Sequence, residues 1–126
     1  MRVALYTRRP ATVLVRVTGP AASRDVLAVV DTGSTEVLLP PGLVESIGYD
    51  LSDAPLARFV TAGGMRGMRR VVIDQIAVGE ACVQGVEAVC HEIPGATWAA
   101  LLGLSFLEHF RMTLSPREGL LELEEP

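Results

Sequence analysis

The stretch VLAVVDTGSTEVLL, residues 26–39, places one carboxylate between two apolar runs. The first run, Val26–Val30, is typical of a strand buried on both faces, and Val37–Leu39 is typical of a second strand. Asp31 therefore leaves a buried strand and enters the tight turn 32–34. Burying an ionised carboxylate without a partner costs several kcal/mol, so this position indicates a functional group.

The composition favours a small β-rich domain. Of the 126 residues, 49% are hydrophobic and only 5% aromatic, and 12 glycines and 8 prolines provide tight turns. This length is typical of one domain, so we expect residues 1–126 to form a single unit. The formal net charge of −4 argues against a nucleic-acid partner, which requires a basic surface.

The chain has no apolar run close to the ~18 residues that cross a membrane. We therefore expect no membrane segment and a cytoplasmic location, with a soluble fragment of a membrane-anchored or periplasmic protein as the alternative. Cys82 and Cys90 fall on one predicted strand, about 26 Å apart, beyond the reach of a disulfide. Two reduced, partly buried thiols are expected, as in a reducing compartment.

Metal binding is not expected. Cys82, Cys90 and His91 supply too few ligands at unsuitable spacing, so the sequence predicts neither a metal site nor a cofactor.

Alternating apolar and polar residues, separated by turn residues, predict a chain made almost entirely of strands. Gly48 is expected to end the first of two short helices. The predicted strands are Thr12–Thr18, Val26–Val30, Val37–Leu39, Arg58–Thr61, Val71–Val78, Val83–Cys90, Met112–Leu114 and Leu120–Leu123, and the predicted helices are Pro41–Ile47 and Leu104–Phe110.

A second motif, Leu101-Leu102-Gly103, follows Asp31 by some 70 residues and opens a short apolar stretch. Together the two motifs resemble the active-site strand and the hydrophobic-hydrophobic-Gly segment of retropepsin-like aspartic proteases, most closely the bacterial branch. The resemblance covers roughly residues 12–123. It implies an all-β, small closed barrel-like acid-protease fold with one or two short helices and one lobe per chain.

The same resemblance implies an aspartic endopeptidase and gives each residue of the loop a role. Asp31 is the catalytic carboxylate, and Thr32 forms a hydrogen bond across a two-fold axis. Gly33 allows a backbone N–H to approach the carboxylate closely, and Ser34 donates a hydrogen bond to its ionised form.

Aspartic proteases use two carboxylates, and no second Asp-[Ser/Thr]-Gly occurs in this chain. The resemblance therefore implies a homodimer that acts on a peptide or protein substrate, with one aspartate from each chain. The segments near Val3–Tyr6 and Leu120–Leu123 are expected to be edge strands, and they are apolar enough for us to expect them to pair between subunits.

The segment Thr61–Gly67 falls where such enzymes carry the hairpin, or flap, that closes over substrate. Gly63 and Gly64 are expected to let its tip move, with Met65 as the apolar tip residue. An ordinary flexible hairpin would have the same sequence. We expect three leucines to line the substrate cleft or to pack in the core. They are Leu38 and the two residues just before Gly103, Leu101 and Leu102.

Ser34, Thr35 and Glu36 stand where viral members usually carry Ala and then Asp, and Leu104 stands where they carry Arg or Asn. The ion pairs between viral subunits and their specificity therefore do not transfer to this chain.

Three alternatives stay open. Asp31 can be a structural residue that caps its own Asx turn. The pattern Asp-x-Gly-Ser-Thr after a strand also opens the phosphate loop of actin-like sugar kinases, although their two lobes need a longer chain. A non-catalytic retropepsin-like domain for dimerisation or peptide binding is the third alternative.

Overall fold

Most of the chain is in β-strands, as the alternating valines predict. The computed structural model describes residues 1–61, 64–93 and 98–126, and for residues 59–61, 65 and 66 this description covers the backbone only. The strands are β1 (Arg2–Ala4), β2 (Thr7–Arg8), β3 (Ala11–Thr18), β4 (Ser23–Val30), β5 (Val37–Leu39), β6 (Leu56–Thr61), β7 (Gly64–Val78), β8 (Ala81–Cys90), β9 (Ala100–Leu102), β10 (Arg111–Ser115) and β11 (Leu120–Glu124). The helices are α1 (Pro41–Ser46) and α2 (Leu104–Leu107), and Leu51–Asp53 forms a 3₁₀ turn.

Eight strands form one sheet in the order β2-β3-β4-β9-β5-β8-β7-β6. An additional pairing of β3 with β7, through residues 16–18 and 75–77, closes six of them into a barrel. Val13, Val15 and Val17 of β3 point into this barrel and are at most 1% exposed. Each such buried aliphatic side chain stabilises the fold by about 1.5–3 kcal/mol.

A second sheet has the order β1-β11-β10, and this order corrects the expected pairing between subunits for Leu120–Leu123 only; pairing through Val3–Tyr6 stays a prediction. Val3 pairs with Leu121 within the chain, and Leu114 pairs with Leu121 from the other side. The expectation that Leu120–Leu123 is an edge strand is therefore wrong, since both of its edges are already hydrogen-bonded. In the described part of the chain, the edges of this sheet are β1 and β10.

Two further expectations need correction. Within the run Val26–Val30 of β4, only Ala28 is fully buried. Val26 and Val30, on the same face as Ala28, pack against the core but stay partly accessible, and the opposite face is partly accessible as well. The predicted helix Leu104–Phe110 is a single turn, α2, and residues 108–110 continue it as hydrogen-bonded turns.

The two cysteines differ in their surroundings. Cys82 is exposed and Cys90 is buried, so the expectation of two partly buried thiols is wrong in detail, although both are free. Burial raises the pKa of the Cys90 thiol to about 11. Among the described residues, no helix is long and apolar enough to cross a membrane.

Candidate active site

Strand β9 brings the two sequence motifs together. It pairs in parallel with β4, where Val30 is opposite Leu102, and antiparallel with β5, where Leu101 is opposite Leu38. The Asp31 N–H donates to the Leu102 carbonyl oxygen at 3.1 Å. The turn between β4 and β5 is thus held against the end of a third strand, although some 70 residues separate them.

The Asp31 carboxylate lies just beyond the C-terminal end of β4. The Gly33 N–H donates to its Oδ1 at 2.9 Å, which is the close approach predicted for this glycine. The Ser34 N–H donates to the Asp31 carbonyl oxygen at 3.2 Å. Structural Asx turns make the same contacts, so the chemical role of Asp31 rests on what surrounds the loop.

The Ser34 side chain does not play its predicted role. Its hydroxyl donates to the Glu36 carbonyl oxygen at 2.6 Å, rather than to the Asp31 carboxylate. A short side chain forms this local bond readily, because the chain turns back on itself between Ser34 and Glu36. Thr32 and Gly33 are exposed, whereas Asp31 and Ser34 are half-buried. The loop therefore presents Thr32 outward.

The start of α2 holds the far side of the loop. The Leu104 N–H donates to the Ser34 carbonyl oxygen at 2.8 Å, and the Ser105 N–H donates to that of Thr35 at 2.9 Å. The Ser105 hydroxyl accepts from the Val37 N–H at 2.9 Å and donates to the Glu87 carbonyl oxygen at 2.7 Å. The sequence analysis did not predict a role for Ser105, although a single hydroxyl side chain within an apolar run indicates a residue that forms specific hydrogen bonds.

The loop packs closely against Gly103, the residue between β9 and α2. A Cβ atom at position 103 would lie 2.6 Å from the Ser34 carbonyl oxygen and closer still to that of Glu36. Both neighbours are backbone atoms, which cannot rotate out of the way as a side chain can. Only glycine therefore fits at this position while the loop keeps its place.

An ion pair ties the end of the loop to β7. Arg70 donates through Nε to Glu36 Oε2 at 3.1 Å and through Nη2 to Oε1 at 2.5 Å, in the two-bond geometry typical of arginine and carboxylate. The hydrogen bond to Glu36 raises the pKa of Arg70. No sequence pattern signals this pair, because its members are 34 positions apart.

The predicted flap region is a β-hairpin. Strands β6 and β7 pair from Leu56 opposite Arg69 to Thr61 opposite Gly64, and Gly64 has a positive φ of 108°. Gly63 and the Met65 side chain lie outside the described residues, so their predicted roles stay predictions.

The three leucines predicted for the cleft or core divide into two groups. Leu102 is fully buried in the barrel core and is therefore not a substrate-contacting side chain. Leu38 and Leu101 are half-buried, and their place in a cleft stays a prediction.

A cavity of about 340 Å³ lies beside the root of the hairpin. Its lining residues are Tyr49, Asp50, Asp53, Ala54, Pro55, Arg70, Val71 and Val72. The Tyr49 hydroxyl is engaged with Asp74 at 2.9 Å, and Asp50 accepts from Ser52. Within the described ranges, no group of three or more His, Cys, Asp or Glu side chains is arranged to hold a metal ion.

Comparison with known proteins identifies what this arrangement is similar to. A family model described as aspartyl protease matches residues 13–106, a range that includes Asp31 and Gly103. A retropepsin-like aspartic protease from Rickettsia conorii has a similar crystal structure, with a TM-score of 0.72 and 20% sequence identity over 98% of this chain and 88% of that chain. A search of curated proteins found no match. The likeness confirms the predicted small closed barrel of the retropepsin type.

Proposed function

The chain belongs to the aspartyl protease family, and on that premise we propose that it is an aspartic endopeptidase that acts as a homodimer. The observation that carries this proposal is the position of Asp31, which directly follows β4 in a loop held by hydrogen bonds from other elements. A structural Asx turn needs only its own local hydrogen bonds. This loop has further support from β9, α2 and Arg70.

The proposal requires a second chain because hydrolysis by this chemistry needs two carboxylates. The other four aspartates are poor candidates, since none is followed by the [Ser/Thr]-Gly of the Asp31 motif and three of them are bonded elsewhere. Asp25 pairs with Arg16, Asp50 accepts from Ser52, and Asp74 accepts from Tyr49. The exposed Thr32 and Gly33 leave the loop open to an identical loop approaching across a two-fold axis.

In this mechanism the two Asp31 carboxylates share one proton, because two like charges a few ångströms apart cannot both ionise cheaply. The ionised carboxylate takes a proton from water, whose oxygen bonds to the peptide carbonyl carbon. The protonated carboxyl gives its proton to the carbonyl oxygen. The tetrahedral gem-diol then breaks its C–N bond as the carboxyl that took the proton from water passes it to the leaving nitrogen. The other carboxylate takes a proton from a gem-diol hydroxyl as the C=O bond re-forms, so the products are an amine and a carboxylic acid and the pair again shares one proton. This division of roles is the general pattern of aspartic proteases.

The substrate in this proposal is an extended peptide that lies between the Asp31 loops and the β6–β7 hairpins. Gly63 and Gly64 allow the hairpin tip to close over it, and Met65, Leu38 and Leu101 contact it. The whole of residues 1–126 acts as one protease domain. A cytoplasmic location and a bacterial source stay predictions.

Replacing Asp31 with asparagine tests the function. An amide cannot accept the proton from water, so Asp31→Asn abolishes hydrolysis of an unfolded protein substrate while the melting temperature is kept. Asp53→Asn, which removes an exposed carboxylate outside the loop, is the control and keeps wild-type turnover. Statine-type peptides, which mimic the tetrahedral species, inhibit the wild type.

Two results would count against the proposal. Turnover by Asp31→Asn above a few per cent of wild type means that Asp31 is not the catalytic group. A wild-type chain that binds a statine-type peptide but cleaves no substrate is a non-catalytic peptide-binding domain.

A further inference from the structure

Arg70 lies where the β6–β7 hairpin leaves the barrel. On the tip side, β7 pairs only with β6, ending with Arg69 opposite Leu56. On the barrel side, β7 pairs with β8, beginning with Arg69 opposite Cys90. The Arg70 N–H donates to the Pro55 carbonyl oxygen at 2.9 Å, which closes the root of the hairpin. Arg70 is therefore one of the residues that form the root of the hairpin.

Glu36 lies at the other end of the contact, inside the Asp31 loop. Its carbonyl oxygen accepts from the Ser34 hydroxyl and packs against Gly103. Its carboxylate is the acceptor for Arg70, through two hydrogen bonds. One residue thus contacts both the backbone of the loop and the root of the hairpin.

Burial distinguishes this ion pair from an ordinary surface pair. The Arg16–Asp25 pair joins β3 and β4 with side chains that are 65% and 41% exposed, and such pairs contribute little to stability. Glu36 is only 12% exposed and Arg70 39%. A carboxylate this far from water depends on its partner, so losing the pair disturbs the surrounding backbone.

We propose that Arg70 and Glu36 are positioning residues that fix the Asp31 loop to the root of the hairpin. The pair keeps the carboxylate of Asp31 in its working position. This inference rests on the proposed function, because it assigns the pair a part in hydrolysis at Asp31. Neither residue is assigned a contact with substrate.

The test compares Glu36→Gln with Asp25→Asn, which breaks the exposed pair and serves as the matched control. For each variant, kcat and KM are measured on peptides with acidic, neutral and basic side chains, and amide hydrogen exchange is followed at Gly33 and Ser34. Glu36→Gln lowers kcat about tenfold, leaves KM within about twofold for all three peptides, and speeds exchange at Ser34 about tenfold. Asp25→Asn changes none of these.

A double variant shows whether the two residues act as a unit. Glu36→Gln combined with Arg70→Gln loses no more kcat than the greater of the two single losses, because the second change removes an interaction already broken. Additive losses would mean that the two residues act separately and would overturn the proposal.

Other results would also overturn it. Wild-type kcat and exchange in Glu36→Gln would mean that the pair does not hold the loop. A change in KM that follows peptide charge would mean that Glu36 or Arg70 contacts substrate. If the wild type has no peptidase activity, the proposed function fails, whereas unchanged exchange at Ser34 in Glu36→Gln separately refutes the positioning role.

Discussion

Substituting Gly103 with alanine tests how the Asp31 loop is held in place. The new Cβ would lie 2.6 Å from the Ser34 carbonyl oxygen, and heavy atoms essentially never approach a real Cβ within 3.0 Å. The loop must therefore move away from β9 by about half an ångström or more. This shift strains the bonds from Leu104 and Ser105 to the loop carbonyls.

The expected loss of stability follows from these contacts. Overpacking costs about 1–3 kcal/mol, and weakening one or two hydrogen bonds adds about 1 kcal/mol. For a domain of this size, the total lowers the melting temperature by about 10 °C. A displacement of up to about 1 Å at a catalytic group lowers kcat by as much as about 100-fold.

Thermal unfolding followed by circular dichroism, together with peptide hydrolysis, measures both effects of Gly103→Ala. Gly42→Ala is the matched control, because a Cβ at this helical position meets nothing within 4 Å. It stabilises α1 by about 0.5–1 kcal/mol and leaves activity unchanged. A Gly103→Ala protein that melts within about 2 °C of wild type at full activity would refute the packing argument.

Three further predictions concern the hairpin, the pH profile and the cysteines. Gly64→Val forces a β-branched residue to a φ of 108°, so kinetic assays show lower turnover while thermal unfolding shows little change in melting temperature. Activity against pH follows a bell shape on the acid side of neutral, because one Asp31 is protonated and the other ionised; an optimum above about pH 8 would contradict this. At pH 8 a thiol reagent modifies the exposed Cys82 quickly and spares Cys90, because the Cys90 pKa of about 11 keeps its thiol protonated. Cys82→Ser removes the fast phase of modification, and equal modification rates for the two cysteines would contradict the burial of Cys90.

The parts of the fold that follow from local patterns were predictable from sequence. Alternating valines marked β3, and Pro41 and Gly48 marked the two ends of α1 within a residue or two. The Asp31 turn was also correctly placed, since an apolar strand followed by Asp and Gly restricts the backbone locally.

Contacts between distant segments were not predictable in the same way. The pairing of β1 with β11 fills an edge that the sequence left open for a partner chain. Ser34 bonds locally to Glu36, and Arg70 reaches Glu36 only because the barrel places β7 beside the loop. Such contacts depend on how strands are arranged in space, which periodicity along the chain does not record.

Mixing wild-type chain with Asp31→Asn chain at constant total concentration tests the central claim, that one active site needs Asp31 from two chains. The chains are unfolded together and refolded so that they pair at random, and specific activity is measured against the wild-type fraction. We expect activity to fall as the square of this fraction, to about a quarter at an equal mixture, because mixed pairs are inactive. Activity that falls in direct proportion, to about a half at an equal mixture, would contradict it by showing that each chain works alone.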